Sequence, residues 1–331
     1  MTTTLEAPAE TPQSDSPPQT APAEQTWTDA TTSGRRRRLR ALATSRLLRP
    51  KPPAAALGQS RMTIMVVALT LCALALWSLV YLLIVSSLQH ARIQHELYTK
   101  LRAELAQATA PLAGPISIGA PVAVLSIPAA GLHGEVVVEG TTPSALRSGP
   151  GHLRTTPLPG EIGTSVLYGR SLSFGAPFAE LVGLKAGDAI TVSTDQGVFH
   201  FHVRDVRRPG DAFTVPAAGT ASLTLVSTAG GWTPDRIVYV DAALSGKPAG
   251  DPGGRPTTLG PQERLMANDT DPVTLTQVVL WLQLLVVALV GSVWLAKRWR
   301  RGQLWLVAAP IVLAALWGLS NAAAQLLPNV L

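Results

Sequence analysis

One cysteine and six histidines bound the covalent and metal chemistry open to this 331-residue chain. Cys72 lies inside an uninterrupted apolar stretch, so no intramolecular disulfide can form. No thiolate is available for nucleophilic attack or zinc ligation outside that stretch. His200 and His202 alternate along a β-rich run, so both rings point to one face. A metal site would need a third ligand, and none stands at a telling spacing; the two are expected to be partly exposed strand residues, with no metal and no cofactor. His152 closes the turn Gly149-Pro150-Gly151-His152, where a structural role is expected. His90 and His95 fall in a helical segment that is expected to stand away from the β-rich region.

The elements that position these residues begin with the membrane. The chain is 47% hydrophobic and 15% charged, with a net charge of +6, whereas about a quarter of an ordinary soluble domain is charged. Met62–Ala91, Pro272–Ala296 and Gly302–Leu331 contain no Asp, Glu, Lys or Arg. Each exceeds the roughly 20 residues that a spanning helix needs. Nine basic residues and no acid lie from Arg35 to Arg61, and Lys297, Arg298, Arg300 and Arg301 separate the second and third stretches. The positive-inside rule then puts the N-terminus and the short basic loop in the cytoplasm and residues 89–271 outside. The Arg35–Arg38 run is read as topogenic and lipid-binding rather than nucleic-acid-binding.

The expected organisation is a disordered basic tail (1–61), spanning helices over 62–88, 273–296 and 303–327, and a basic loop at 297–302. The first span is an uncleaved signal anchor, being longer than a cleavable apolar region. Over 89–113 the recurrence of Leu97, Leu101 and Leu105 predicts an amphipathic stalk helix that lifts the next domain off the bilayer. Residues 114–245 carry short β-rich runs between Gly/Pro/Asp/Ser turns, including a hairpin at Asp195-Gln196-Gly197. Seven or eight short strands predict an all-β barrel or sandwich. Residues 246–272 read as a Gly/Pro-rich linker.

Four stretches of this region resemble the sortase family, closest to its class E type from high-GC Gram-positive bacteria. They are Leu125-Ser126-Ile127-Pro128 with Val136–Thr141; Gly149–His152 with Leu158-Pro159-Gly160-Glu161; Val166–Arg170 with Gly175–Phe178 and Leu184–Asp188; and Leu223–Thr228 with Arg236-Ile237-Val238. The resemblance implies a sortase-like β-barrel and a transpeptidase that cuts a sorting signal near a protein's C-terminus. It also implies a Cys nucleophile, a His general acid and an Arg supporting the oxyanion. Carried over by position, the Cys falls on Thr228, the His on Arg170 and the Arg on Arg236, so two of the three are replaced. A Thr hydroxyl is far more basic than a thiol and needs an adjacent base. A guanidinium stays protonated and supplies none.

Three functions are compatible with these residues. The first is a catalytically degenerate protein that binds sorting-signal-like peptides or other envelope proteins. In it Arg170 and Arg236 either converge on a carboxylate or phosphate, or Arg170 turns to solvent; Asp235 is a poor partner for its strand neighbour Arg236. The second is an active enzyme using Thr228 or Ser227. The third is a membrane scaffold whose hairpin packs partner helices through Ala314, Ala315, Gly318, Ser320 and Ala322–Ala324.

Overall fold

The computed structural model describes residues 54–331 except 108, 110–113, 213, 230–235, 266, 269–270, 299–300, 329 and 331. Most of the expected tail, and Asp235, thus lie outside the described residues. The chain divides into two units, Met1–Val67 and Ala68–Leu331. Within the first, only residues from Ala54 onward are described, all of them helical. The second holds the barrel and the remaining helices.

The first apolar stretch is helical: α1 (Ala54–Val80), a π turn (Tyr81–Val85) and α2 (Ser86–Ala106). The other two form α4 (Pro272–Leu295) and α5 (Arg301–Ala323). All three regions are long and apolar enough to cross a membrane, with peak mean hydropathies of 2.4, 2.4 and 1.8. Their large side chains face outward, as at Leu69, Val287 and Leu306. Such continuous apolar surface suits lipid rather than water. The small-residue stripe is used within the chain: a Cβ at Gly318 would lie 2.4 Å from the Trp281 ring, so α4 and α5 approach closely only because Gly318 has no side chain.

Eight strands close into a barrel: β1 (Pro121–Ile127), β2 (Leu132–Glu139), β3 (Gly151–His152), β4 (Gly163–Tyr168), β5 (Ala189–Thr194), β6 (Gly197–Arg207), β7 (Ala221–Ala229) and β8 (Arg236–Ser245). Their order round the barrel is β1-β2-β3-β4-β7-β8-β6-β5. A six-residue helix, α3 (Pro143–Ser148), is capped by the Thr142 side chain and connects β2 to β3. Alternation fixes the core: along β6, Phe199, Phe201 and Val203 are buried while His200, His202 and Arg204 are exposed. Leu125, Ile127, Ile190, Val192, Leu223 and Leu225 complete that interior.

Two segments read as spacers are tied to the barrel. The segment expected to hold His90 away from the β-rich region instead docks it there. His90 is buried, with Nε2 2.5 Å from Glu135 Oε1, and Gln94 bonds both the N–H and the C=O of Val136. The side-chain amide of Gln94 thus takes the place of a neighbouring strand at β2. Likewise, the 246–272 connection is pinned by Arg255 to Glu139 and by Thr141 Oγ1 to the Glu263 carbonyl.

Candidate functional site

The register of β4, β7 and β8 brings the three residues named by the resemblance to one end of the barrel. Tyr168 pairs with Val226, Val226 with Tyr239, and Thr228 with Ile237. Because side chains alternate, Tyr168, Val226, Thr228, Ile237 and Tyr239 share one face, opposite that of Leu223 and Leu225. Arg170 follows β4 by two residues, and Arg236 opens β8 opposite Ala229.

That face is covered by the chain itself. Val330 is fully buried against Leu146, Tyr168 and Val226. Its carbonyl accepts from Ser171 N (3.2 Å) and is in reach of Thr228 Oγ1 (3.1 Å) and Ser171 Oγ (3.3 Å). The two hydroxyls also lie 2.7 Å from each other. Each hydroxyl has one hydrogen, so one donates to the other and the second to the carbonyl. One backbone N–H and one O–H therefore converge on a peptide carbonyl at Thr228. Burial pushes the Tyr168 phenol up from its ordinary pKa.

Two donors can polarise a carbonyl, but attack needs a base to take the hydroxyl proton. Among the described residues Thr228 has only a hydroxyl and a carbonyl as hydrogen-bond partners. Ser227 Oγ is buried and donates to the Gly169 carbonyl at 2.9 Å. The buried His152 serves another network. Its Nδ1 meets Glu139 Oε2 at 2.8 Å, and its Nε2 meets the Pro157 carbonyl at 2.9 Å. A carbonyl only accepts, so Nε2 carries a proton. The nearby Thr156 gives its own hydrogen to the Leu153 carbonyl at 2.7 Å. Thr156–His152–Glu139 is thus a structural array that stitches β3 to β2, not an activated hydroxyl. His200 and His202 are exposed, and no cluster of three metal-ligating side chains occurs among the described residues.

Arg170 is not turned to solvent but fully buried. It donates to Ser173 Oγ (3.2 Å) and to the Pro143 carbonyl (3.3 Å), and its guanidinium lies 5.1 Å from the Phe174 ring centre. Desolvation first, and then the charge of Arg147, hold its pKa down to about 9. No carboxylate pairs with it among the described residues. Arg236, by contrast, is exposed. The cation beside Arg170 is Arg147 of α3, 5.7 Å from the same ring, and desolvation lowers its pKa too. Sequence reasoning missed Arg147; the signal was a Thr-Pro cap opening a helix at Thr142-Pro143.

The loop holding Phe174 is strained. Phe174 and Ala176 have positive φ values of 51° and 45°, uncommon for residues with a Cβ. Gly175 sits between them at φ 77°, and a Cβ there would lie 2.4 Å from the His90 ring. Phe174 N is held by Ser86 Oγ at 3.2 Å, which ties the loop to the start of α2.

Residues 125–242 match the Sortase domain family model, and the closed eight-stranded barrel has that fold. Similar solved structures include the sortase D5 transpeptidase of Clostridium perfringens, at 20% identity over 47% of this chain and 99% of that one, TM-score 0.39. Sortase E of Streptomyces avermitilis is 26% identical over 40% and 91%, TM-score 0.34. Sortase A of Corynebacterium diphtheriae is 19% identical over 48% and 87%, TM-score 0.36. No curated relative matches the chain.

Proposed function

We propose that this chain is a class E-like, catalytically degenerate sortase-fold protein of a Gram-positive cell envelope, which binds extended peptide segments without cutting them. The observation that carries the reading is the Val330 carbonyl, cradled by Ser171 and Thr228 with no titratable group among its hydrogen-bond partners in the described residues. The cleft keeps what a peptide needs to dock: an apolar floor of Tyr168 and Val226 and two converging donors. It lacks what cleavage needs, since Thr228 and Arg170 stand where the family has its thiol and imidazole. The natural ligands are sorting-signal-like peptides or other envelope proteins, and Val330 stands in for them within the chain. The Lys/Arg asymmetry favours a cytoplasmic N-terminus with the barrel outside. The close fit of Gly318 to Trp281 weighs against the hairpin serving mainly to recruit partner helices.

The test is a titration of the full chain in nanodiscs with a labelled peptide of residues 323–331. Val330→Asp, which vacates the cleft, should bind the peptide at least tenfold more tightly than wild type. Adding Thr228→Val should reverse most of that gain. Equal, weak binding by all three proteins would reject peptide docking.

A further inference from the structure

Next to the half-buried Arg147 and the buried Arg170, and linked to Arg147 through Asn321, lies a groove that no part of the peptide cleft uses. It has a volume of about 310 Å³, runs between the outer ends of α1 and α5, and is lined by Leu74, Trp77, Tyr81, Leu316, Ser320 and Leu327 among others. Its walls are apolar except at one end. There Trp77 Nε1 donates to Ser320 Oγ (3.0 Å), and Tyr81 Oη reaches Asn321 Oδ1 (3.2 Å). The π turn starts at Tyr81, and π turns within helices frequently mark functional positions.

Asn321 links that polar end to the cations. Arg147 Nη1 donates to its side-chain Oδ1 (3.2 Å) and to its backbone carbonyl (3.4 Å). Arg170 stands behind, across the Phe174 ring. The Nε atoms of both arginines are buried with no acceptor, and neither guanidinium has a carboxylate partner among the described residues. A neutral amide is thus the best acceptor that the more accessible of two close guanidinia possesses. Buried cations ordinarily have a counter-ion. An anion displacing the Asn321 amide from Arg147 would make a charge-assisted, two-pronged contact in a region of low dielectric.

The position selects the anion. The polar end of the groove is linked to Arg147 through Tyr81 and Asn321, the groove lies between helices apolar enough to face lipid, and Val330 already fills the peptide cleft on the barrel face. We propose that this junction binds a lipid with a phosphate headgroup, its hydrocarbon chain lying along the groove and its phosphate on Arg147, with Arg170 supplying a second positive charge behind. The site holds the base of the barrel to the bilayer, and it does not depend on the peptide cleft or on Thr228.

The test uses the full chain in a neutral detergent, titrated with phosphatidylglycerol, with diacylglycerol of the same acyl chains, and with inorganic phosphate. Bound lipid is counted by native mass spectrometry, alongside the thermal midpoint. Phosphatidylglycerol should be retained at one molecule per chain and raise the midpoint, while diacylglycerol should bind at least tenfold more weakly. Arg147→Gln should lower phosphatidylglycerol affinity at least tenfold, and Arg147→Lys should stay within a few-fold of wild type. Ser320→Trp, which fills the groove and leaves both arginines in place, should also abolish retention. Equal binding of the two lipids, or unchanged affinity in folded Arg147→Gln, would overturn the proposal. Inorganic phosphate binding as tightly as phosphatidylglycerol would overturn the lipid assignment in favour of a soluble anion.

Discussion

If Arg170 is a buried charge lacking a counter-ion, supplying one should stabilise the protein. Ser173 is the place to do it, because its Oγ already lies 3.2 Å from Arg170 Nη1 and the residue is buried. Two unit charges at that separation attract by about 5 kcal/mol at an effective dielectric of about 20. The pKa of Arg170 gives a similar size: burial holds it well below its ordinary value, at about 9, which at about 1.4 kcal/mol per unit is a penalty on the order of 5 kcal/mol. The unfolded chain keeps this proton up to its ordinary pKa, whereas the folded chain releases it near 9. The penalty is therefore complete below about pH 9 and fades as the pH rises from there toward the ordinary guanidinium pKa, so measurement at pH 7 reads all of it. Burying a carboxylate costs several kcal/mol, so Ser173→Asp alone is expected to move stability by no more than about 2 kcal/mol in the stabilising direction. Its coupling to Arg170 is the sharper quantity. Urea unfolding in detergent of wild type, Ser173→Asp, Arg170→Met and the double variant should give a coupling of about 3–5 kcal/mol, with Ser173→Asp strongly destabilising once Arg170 is gone. A coupling below about 1 kcal/mol would refute the reasoning, because Arg170 would then already be neutralised.

Three further outcomes rest on the geometry. Val330→Asp should expose the Ser171 amide, which now donates to the Val330 carbonyl at 3.2 Å; hydrogen exchange at Ser171 should quicken at least tenfold, and unchanged protection would mean that the contact does not persist in solution. Gly175→Ala places a Cβ 2.4 Å from the His90 ring at φ 77°, and strain plus overlap should cost about 2–4 kcal/mol, seen as a fall in Tm of several degrees. Gly318→Leu forces the Trp281 ring aside, so cysteine cross-linking between α4 and α5 should fall sharply while the barrel keeps its near-ultraviolet circular dichroism.

The barrel was readable because its strands obey local rules. The Phe199, Phe201, Val203 alternation and the Asp195-Gln196 turn between β5 and β6 both appear within a dozen residues of sequence. Strand β3, at two residues, is too short to carry a period and exists only because Val138 and Leu167 offer it partners on either side. The leucine stripe of α2 announced a buried face, and Leu101 is buried. What it could not announce is that His90 and Gln94 on that helix bond to β2, since a polar side chain bonding a strand some 40 residues away leaves no periodic trace.

The candidate site divides in the same way. The resemblance named Thr228, Arg170 and Arg236, and the β-rich runs put them at or just beyond strand ends, where the structure also has them. Arg147 as the second, half-buried cation, and Val330 as the occupant of the cleft, are products of tertiary packing across 23 and 102 residues of separation. Both depend on the last helix returning to the barrel beside α1, which apolar composition alone does not specify.

The most direct measurement incubates the full wild-type chain in nanodiscs with sorting-signal peptides and an amine acceptor, followed by intact-mass and product mass spectrometry, beside Thr228→Val. Neither protein should give an acyl adduct or an amine-transferred product above the peptide-only background. A Thr228-dependent adduct or product from wild type would contradict the proposal that the chain binds peptides in this cleft without cutting them.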